Sequence, residues 1–308
     1  MRAIVTGGAG FIGSHLVDAL VARGDEVTVL DNLSTGRREN VNEGARLIEA
    51  DLSAAAEAFA DADPEICFHL AAQVDVRVSV ERPDFDAEVN LLGTIHVLEA
   101  ARGHGVQVVF ASSGGAIYGE CDGPADEDAP LLPLAPYGAS KLAGEEYLET
   151  YNRLYETGHV ALRYANVYGP RQDPHGEAGV VAIFLGRLAR GEPLRVFGNG
   201  RQTRDYAYVG DVVAGTLAAP GHAGVFNVGT GTETSVLDLA EACQRAAGIS
   251  VEIEHAPART GELQRSVVNP DRAERELGFR AKSSLEDGLA ATWEFVREAE
   301  GEGAVGAN

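Results

Sequence analysis

Tyr137 and Lys141 stand four residues apart in Pro136-Tyr137-Gly138-Ala139-Ser140-Lys141, a stretch whose leading proline suits the first turn of a helix. Residues at that spacing on a helix share a face. A phenol gives up its proton only near about pH 10 in water, and an ammonium beside it lowers that value, which turns the tyrosine into a usable base. Lys141 is one of two lysines in the chain, the other being Lys282, in a protein that otherwise relies on arginine. An ammonium offers a compact charge with three donors, which a planar guanidinium cannot replace. Just upstream, Ser112-Ser113 follows a run of strand character at residues 107–111 and supplies hydroxyls for the same site.

A second pattern indicates what the tyrosine would work with. Thr6-Gly7-Gly8-Ala9-Gly10-Phe11-Ile12-Gly13 follows the apolar run Ile4-Val5 and opens a helix. In that context glycines let the backbone approach a pyrophosphate seated on the helix N-terminus. Gly7, Gly10 and Gly13 keep the loop bare, while Phe11 and Ile12 supply backbone N–H groups and packing. Asp31 ends the second expected strand, where a carboxylate accepts the adenosine ribose hydroxyls and repels a 2′-phosphate, favouring NAD over NADP. Asp51-Leu52 follows the third strand, in reach of the adenine. A cationic nicotinamide beside Tyr137 is expected to draw the phenol pKa down further. Each feature alone has a bland reading: a structural turn, an acid capping a strand end, a common helix surface. The catalytic reading rests on finding them together.

These residues need a frame. Strand-length runs at Ile4-Val5 and at residues 26–30, 45–49, 66–70, 107–111 and 159–163 alternate with helix-length segments, the rhythm of a parallel sheet covered on both faces. The expected fold is α/β: a doubly wound parallel-sheet Rossmann fold with a smaller, interleaved C-terminal substrate-binding lobe. Ser79 is expected to lead into one long helix through Asn90 to Arg102. After Arg163 the rhythm loosens into loop material, an apolar helix at residues 179–190, a tight turn at Gly198-Asn199-Gly200 and a returning strand at residues 225–228. Helices are expected at residues 235–247, 270–277 and 284–298, and the glycine-rich residues 301–308 read as a disordered tail.

Composition closes off other classes. The chain has 308 residues, enough for one large α/β unit or two interleaved lobes. It contains no apolar run near the roughly 20 residues of a membrane helix, and no export segment precedes the first strand, so a cytosolic protein is expected. Cys67, Cys121 and Cys243 are odd in number and widely spaced, and the eight histidines form no ligand pair, so neither a disulfide framework nor a metal is expected. The net charge of −22, from 47 acids and 25 bases, speaks against a nucleic-acid partner. That acid excess fits either a salt-accumulating cell, where screening lowers self-repulsion, or a mildly acidic protein of a high-GC genome.

Thr6 to Gly13, Asp31-Asn32-Leu33-Ser34, His69-Leu70-Ala71-Ala72-Gln73, Asn90-x-x-Gly93-Thr94, Ser112-Ser113, Tyr137 to Lys141, Arg163 to Pro170 and Arg204-Asp205-Tyr206 together carry a family pattern. Through them the chain resembles the extended short-chain dehydrogenase/reductase family over nearly its whole length, and within it the UDP-glucose 4-epimerases. The resemblance implies NAD-dependent inversion at C4 of a UDP-sugar through a 4-keto intermediate. It makes Tyr137 the base, Lys141 its electrostatic partner and ribose ligand, and Ser113, with Ser112 as the alternative, the hydroxyl at the reacting oxygen. Around the glycine loop the NAD site would take in Asn32, Ser34, Thr35, Gly36, Asp51, Leu52, Leu70, Ala71, Ala72, Gln73, Asn90, Ser112 and Tyr164. The UDP-sugar would also meet Asn166, Val180, Arg204, Arg259, Glu262 and Ser266.

The same resemblance implies an NAD-binding domain of residues 1–166 and 205–228, a sugar-binding lobe of residues 167–204 and 229–300, and a homodimer. The dimer would pair the helices at residues 90–102 and 141–155, with Val97, Leu98 and Leu142 as apolar contacts. Three departures stand out. Four residues separate Ser113 from Tyr118 where many epimerases have three. Arg259-Thr260-Gly261-Glu262 ends in an acid one methylene longer than usual, and Gln73-Val74 fills the place of a usual lysine. Ser266 is small where a bulky aromatic in such epimerases excludes N-acetylated sugars, implying room for a 2-acetamido group or a C6 carboxylate. A nucleotide-sugar 4,6-dehydratase would start with the same oxidation, yet its acid/base pair is absent from Gly114-Gly115-Ala116. A silent NAD-binding scaffold would have no use for an activated phenol.

Overall fold

The structure is a computed structural model that describes residues 1–174, 179–259 and 262–305. The chain opens with β1 (Arg2–Thr6), α1 (Phe11–Ala22), β2 (Glu26–Asp31), β3 (Ala45–Glu49), α2 (Ala55–Ala62) and β4 (Ile66–His69). Then come α3 (Val76–Glu81), α4 (Pro83–Ala87), a π-helical turn over Glu88–Leu92, α5 (Gly93–His104), β5 (Gln107–Ser113), the one-turn α6 (Gly114–Ile117), α7 (Pro136–Tyr155) and β6 (Val160–Tyr164). The rest interleaves β7 (Asn166–Tyr168), α8 (Val180–Ala189), β8 (Leu194–Phe197), β9 (Thr203–Arg204), β10 (Tyr206–Tyr208), α9 (Val209–Ala218) and β11 (Gly224–Val228). It closes with β12 (Thr234–Ser235), α10 (Val236–Ala247), β13 (Ile253–Ala256), β14 (Arg265–Ser266), α11 (Asp271–Leu277) and α12 (Leu285–Val305).

The first six strands and β11 form one parallel sheet in the order β11-β6-β5-β4-β1-β2-β3. The order reverses at β1, which has β2 on one side and β4 on the other. A crevice therefore opens at the C-terminal ends of β1 and β4, where such sheets bind ligands. Alternation along β1 explains the two layers. Ala3 and Val5 pack with Leu16, Val17 and Leu20 of α1 and Val212 of α9, whereas Ile4 packs with Phe59 of α2, Val97 and Leu98 of α5 and Leu148 of α7. A further core of Phe184, Leu185, Val196, Leu239 and Cys243 gathers α8, β8 and α10 into a second packing centre.

Several local expectations are corrected. The helix expected from Ser79 to Arg102 is broken, because Pro83 removes an N–H and forces Arg82 out of helical geometry, to φ −137 and ψ 68. Asp75, not Ser79, caps the first piece, its side chain accepting from the amides of Arg77 and Val78. Val97 and Leu98 are fully buried against the sheet and so not available to a second chain, while Leu142 is partly buried against the same core. Helix α12 runs to Val305, and residues 306–308 lie outside the described residues.

Beneath the crevice, His69 joins three elements. Thr94 Oγ1 donates to the Asn90 carbonyl at 2.6 Å, so at 3.0 Å it accepts from His69 Nε2. His69 Nδ1 is then the acceptor for Thr6 Oγ1 at 2.7 Å, whose oxygen accepts the Ala71 amide at 3.2 Å. The network assigns a neutral imidazole. Burial, with the Lys141 charge adding, holds the His69 pKa down at about 3, and burial alone holds that of His159 at about 4. Both folded values lie below the unfolded value near 6.5, so the unfolded chain binds more protons between them. Stability is therefore expected to fall as pH drops through that window, by about 1.4 kcal/mol per pH unit for each proton taken up. Urea midpoints measured across the window check this, and a flat profile contradicts it.

Candidate active site

The loop between β1 and α1 lies at the crevice. Gly7 has φ +72, and a Cβ there would come within 2.6 Å of the Ala71 amide nitrogen. At Gly13 a Cβ would fall on the Gly7 carbonyl oxygen, so close packing demands both glycines. Gly10 differs. A Cβ there would meet nothing nearer than the Gly7 carbonyl at 3.3 Å, yet the position is bare, and as N-cap of α1 it gives the first amides of that helix no side-chain partner. Phe11, Ile12 and Gly13 form the first turn, so their N–H groups lie at an uncapped helix start, the chemistry of an anion cradle.

Asp31 stands at the end of β2 beside the glycine loop. Its carboxylate accepts from the amides of Ala9 at 3.0 Å and Leu33 at 2.9 Å, fixing the end of β2 against the glycine loop. Each oxygen keeps lone pairs for ribose hydroxyls. Asn32 donates to Asp51 at 2.6 Å and accepts the Ser34 amide at 3.0 Å. Residues 34–36 continue over the loop, with Gly36 so close to Asp31 that a Cβ would lie 3.0 Å from Oδ1. Leu52 packs under Gly93 at the start of α5. Across the crevice, Leu70 and Ala71 are bonded to Thr6, and Asn90 holds Gln73 by both backbone groups, accepting its N–H at 2.8 Å and donating to its carbonyl at 2.9 Å. Ala72 lies between them. These residues, an uncapped helix start with a carboxylate at the next strand end, fit a dinucleotide.

Along α7, Tyr137, Lys141 and Glu145 recur every four residues and share one stripe facing β5 and β6. Glu145 is buried and pairs with Arg163 of β6 at 2.7 Å, both side chains 4% exposed. Ser112 donates its hydroxyl to Glu145 in a short hydrogen bond, which commits that serine to the clasp. Ser113, on the opposite face of the strand, lies close enough to the Tyr137 phenol to favour its ionised form. Of the two serines, the structure brings Ser113 to the tyrosine. The residues between Ser113 and Tyr118 form α6.

Lys141 donates to the Ala111 carbonyl at 2.9 Å and lies 4.9 Å from the Phe110 ring centroid. Burial lowers its pKa to about 8, against the pull of the Asp86 and Glu145 carboxylates, which favour the charged form. The phenol runs against expectation. Burial pushes Tyr137 up to about 12, the nearby Ser113 hydroxyl draws it down, and Asp86 pushes it up again. In the protein alone Tyr137 holds its proton, so the lowering expected from Lys141 is not realised without a further positive charge.

The remaining expected residues lie on the C-terminal side. Asn166 begins β7, its amide bonded to the Asp205 carbonyl at 2.9 Å. Val180 begins α8. Arg204 and Gln202 approach the Glu262 carboxylate at 3.8 Å and 3.4 Å, so the longer acid reaches back to β9. Arg259 stacks on Phe197, 4.0 Å from the ring centroid, while Thr260 and Gly261 lie outside the described residues. Ser266 is buried on β14, paired with Arg204, and Arg265 binds Glu233 and the Asp122 carbonyl. Tyr164 ends β6 beside Ser113, with its ring buried in the core and its hydroxyl meeting Thr216 of α9 at 2.7 Å.

Sequence reasoning missed Glu145 and Asp86. Glu145 carries a signal, an acid four residues beyond Lys141 on the same stripe. Asp86 carries none, since only folding brings α4 against α7. Among the described residues no group of three or more His, Cys, Asp or Glu is arranged to hold a metal, and no helix is long and apolar enough to cross a membrane.

A parallel sheet with a bare glycine loop at its switch point and a Ser-Tyr-Lys cluster beside it defines a dinucleotide-dependent enzyme. The NAD dependent epimerase/dehydratase family profile matches residues 3–229, and the chain belongs to that family. It is 48% identical to the UDP-glucose 4-epimerase of Mycolicibacterium smegmatis, over 96% of this chain and 99% of that one. The crystal structure of UDP-glucose 4-epimerase with UDP-glucose from Thermotoga maritima superposes with a TM-score of 0.95 at 45% identity, over 97% of this chain and 100% of that one. The Thermus thermophilus UDP-glucose 4-epimerase complex with NAD gives 0.92 at 48% identity, with the same coverage.

The two serines should separate in the laboratory. Ser112→Ala removes a bond to a buried carboxylate and is expected to cost about 1–3 kcal/mol of stability. Ser113→Ala should leave the unfolding midpoint nearly unchanged and lower turnover. Denaturant unfolding alongside a rate assay checks both, and the reverse pattern contradicts the assignment.

Proposed function

We propose that this chain catalyses the NAD-dependent 4-epimerisation of UDP-glucose and UDP-galactose through a 4-keto sugar. The observation that carries the reading is the convergence of Ser113, Tyr137 and Lys141 beside the glycine loop, at the switch point of the sheet. The backbone of Gly7, Gly10, Phe11, Ile12 and Gly13 would hold the pyrophosphate, Asp31 and its neighbours the adenosine, and Lys141 the nicotinamide ribose. Bound there, NAD supplies the hydride acceptor for oxidation at C4 and the donor for the reduction that follows.

The protein's part is proton transfer, orientation and anchoring. Tyr137 takes the proton from the 4-hydroxyl and later returns it to the same oxygen, with Ser113 holding that oxygen in line. Phenolate formation requires positive charge nearby, because burial and Asp86 otherwise keep the proton on. Asn166, Arg204 and Arg259 anchor the diphosphate, the two arginines through donors that stay charged, which leaves the sugar free to turn its other face between the two half-reactions. Ser266, small and buried beside Arg204, keeps the pocket wall open. On this reading residues 1–166 and 205–228 serve the cofactor, and residues 167–204 and 229–300 the nucleotide sugar.

The unpaired thiols Cys67, Cys121 and Cys243 support a reducing, cytosolic setting. We also propose a homodimer through the same two helical segments as expected, with other side chains at the contact. Leu92, Tyr147, Leu154 and Tyr155 are exposed on the π-helical turn and α7, and Tyr147 and Leu154 are seven residues apart on one stripe. Light scattering should give twice the chain mass, and Leu154→Glu should give the monomer. A monomer in the unsubstituted protein rejects the dimer.

Purified protein incubated with UDP-glucose, with no cofactor added, should yield UDP-galactose. A 4-keto-6-deoxy product would point to a dehydratase, and no reaction with any nucleotide sugar to a silent scaffold. Tyr137→Phe should keep its nucleotide and lose turnover by about a hundredfold or more, as for removal of a general base. Unchanged rates in that variant would overturn the role of Tyr137.

A further inference from the structure

Asp86 has entered the chemistry so far only as a charge opposing the phenolate, yet it is a buried carboxylate, 1% exposed, on a five-residue helix packed against α7. Its Oδ1 accepts from Gln73 Nε2 at 2.9 Å and Asn90 Nδ2 at 3.0 Å. Asn90 Nδ2 also reaches Ser140 Oγ at 3.3 Å, and Ser140 donates to the Tyr137 carbonyl at 3.0 Å. One oxygen thus ties the loop after β4 to the first turn of α7. The other, Oδ2, is buried without a hydrogen-bond partner. An unpaired carboxylate oxygen in that position is costly unless it faces positive charge.

We propose that Asp86 is a positioning residue for the Tyr137/Lys141 pair, bracing α7 through Asn90 and Ser140 and keeping an unpaired, buried negative charge near enough for both side chains to feel. This rests on the functional reading above. Few other groups face the pair. Glu145 lies on α7 itself but is held by Arg163 of β6 and Ser112 of β5, and His69 of β4 is neutral. α6 carries no charge, and Arg77 and Glu81 of α3, Asp84 of α4, Glu88 of the π-helical turn and His96 and Glu99 of α5 are exposed. The directions at both partners agree with this placement: Asp86 favours the charged form of Lys141 and disfavours the phenolate of Tyr137. The consequence is a pair in which the lysine stays cationic despite burial and the tyrosine releases its proton only when further positive charge arrives.

The test is a titration that needs no turnover. Protein with carbon-labelled tyrosine Cζ is titrated by NMR, Tyr137 being assigned by its loss in Tyr137→Phe. In Asp86→Asn, which keeps the side-chain shape, the Tyr137 midpoint should fall by about one pH unit or more. Asp86→Ser should do the same if the amide disturbs packing. Both limbs of the kcat/KM profile for UDP-glucose should move toward acid, because Tyr137 and Lys141 each lose the same negative neighbour. In the unsubstituted protein the labelled Asp86 carboxyl carbon should shift as Lys141 titrates at about 8. An unmoved Tyr137 midpoint in a folded variant, or an Asp86 signal flat across that lysine titration, overturns the proposal. A protein that shows these shifts but cannot epimerise UDP-glucose supports the pairing and defeats the functional reading instead.

Discussion

The buried carboxylate of Glu145 fastens α7 to the sheet. It takes the Arg163 guanidinium through both oxygens and the Ser112 hydroxyl through one, while Arg163 continues to the Tyr118 hydroxyl at 2.8 Å and the Glu127 carbonyl at 3.0 Å. Tyr118 in turn donates to Asn227 of β11 at 2.8 Å. A pair this deep gains little over apolar packing, but losing one partner strands a charge and costs about 3–5 kcal/mol. The clasp is therefore better understood as fixing geometry. Because Glu145 shares a helical stripe with Lys141 and Tyr137, holding one end of the stripe to β5 and β6 sets the other two side chains over the ends of the same strands.

The cofactor side is organised by hydrogen bonds that run beneath the crevice rather than around its rim. The relay from Ala71 through Thr6, His69 and Thr94 to the Asn90 carbonyl connects β1, β4 and α5. Asn90 then grips Gln73 and Ser140. Both walls of the switch point and the start of α7 thus share one polar network, built around a histidine that stays neutral because charging it inside would cost too much. The π-helical turn that carries Asn90 is what aims its amide at three partners, a common use of such turns.

What could be read from the residues followed from local chemistry. The parallel rhythm, the glycine loop, Asp31 at the end of β2 and the four-residue spacing of Tyr137 and Lys141 depend on backbone periodicity and on residue types with few alternative uses. Contacts between elements distant in the chain were not legible. Asp86 gains its meaning only when α4 meets α7, and the choice between Ser112 and Ser113 turns on a glutamate more than thirty residues away. Val97 and Leu98 show the same limit, since an apolar stripe does not say whether it faces a sheet or a second chain. The break at Pro83 is legible in the sequence, since a proline there removes the amide that a continuous helix needs.

The central claim is that oxidation and reduction at C4 occur within one site, with Tyr137 moving the proton and the carbon-bound hydrogen never reaching solvent. UDP-glucose carrying deuterium at C4, incubated with the protein in ordinary water, decides it when the UDP-galactose is examined by mass spectrometry and NMR. The account predicts that the product keeps its deuterium at C4. Exchange of that deuterium for hydrogen from water would contradict it.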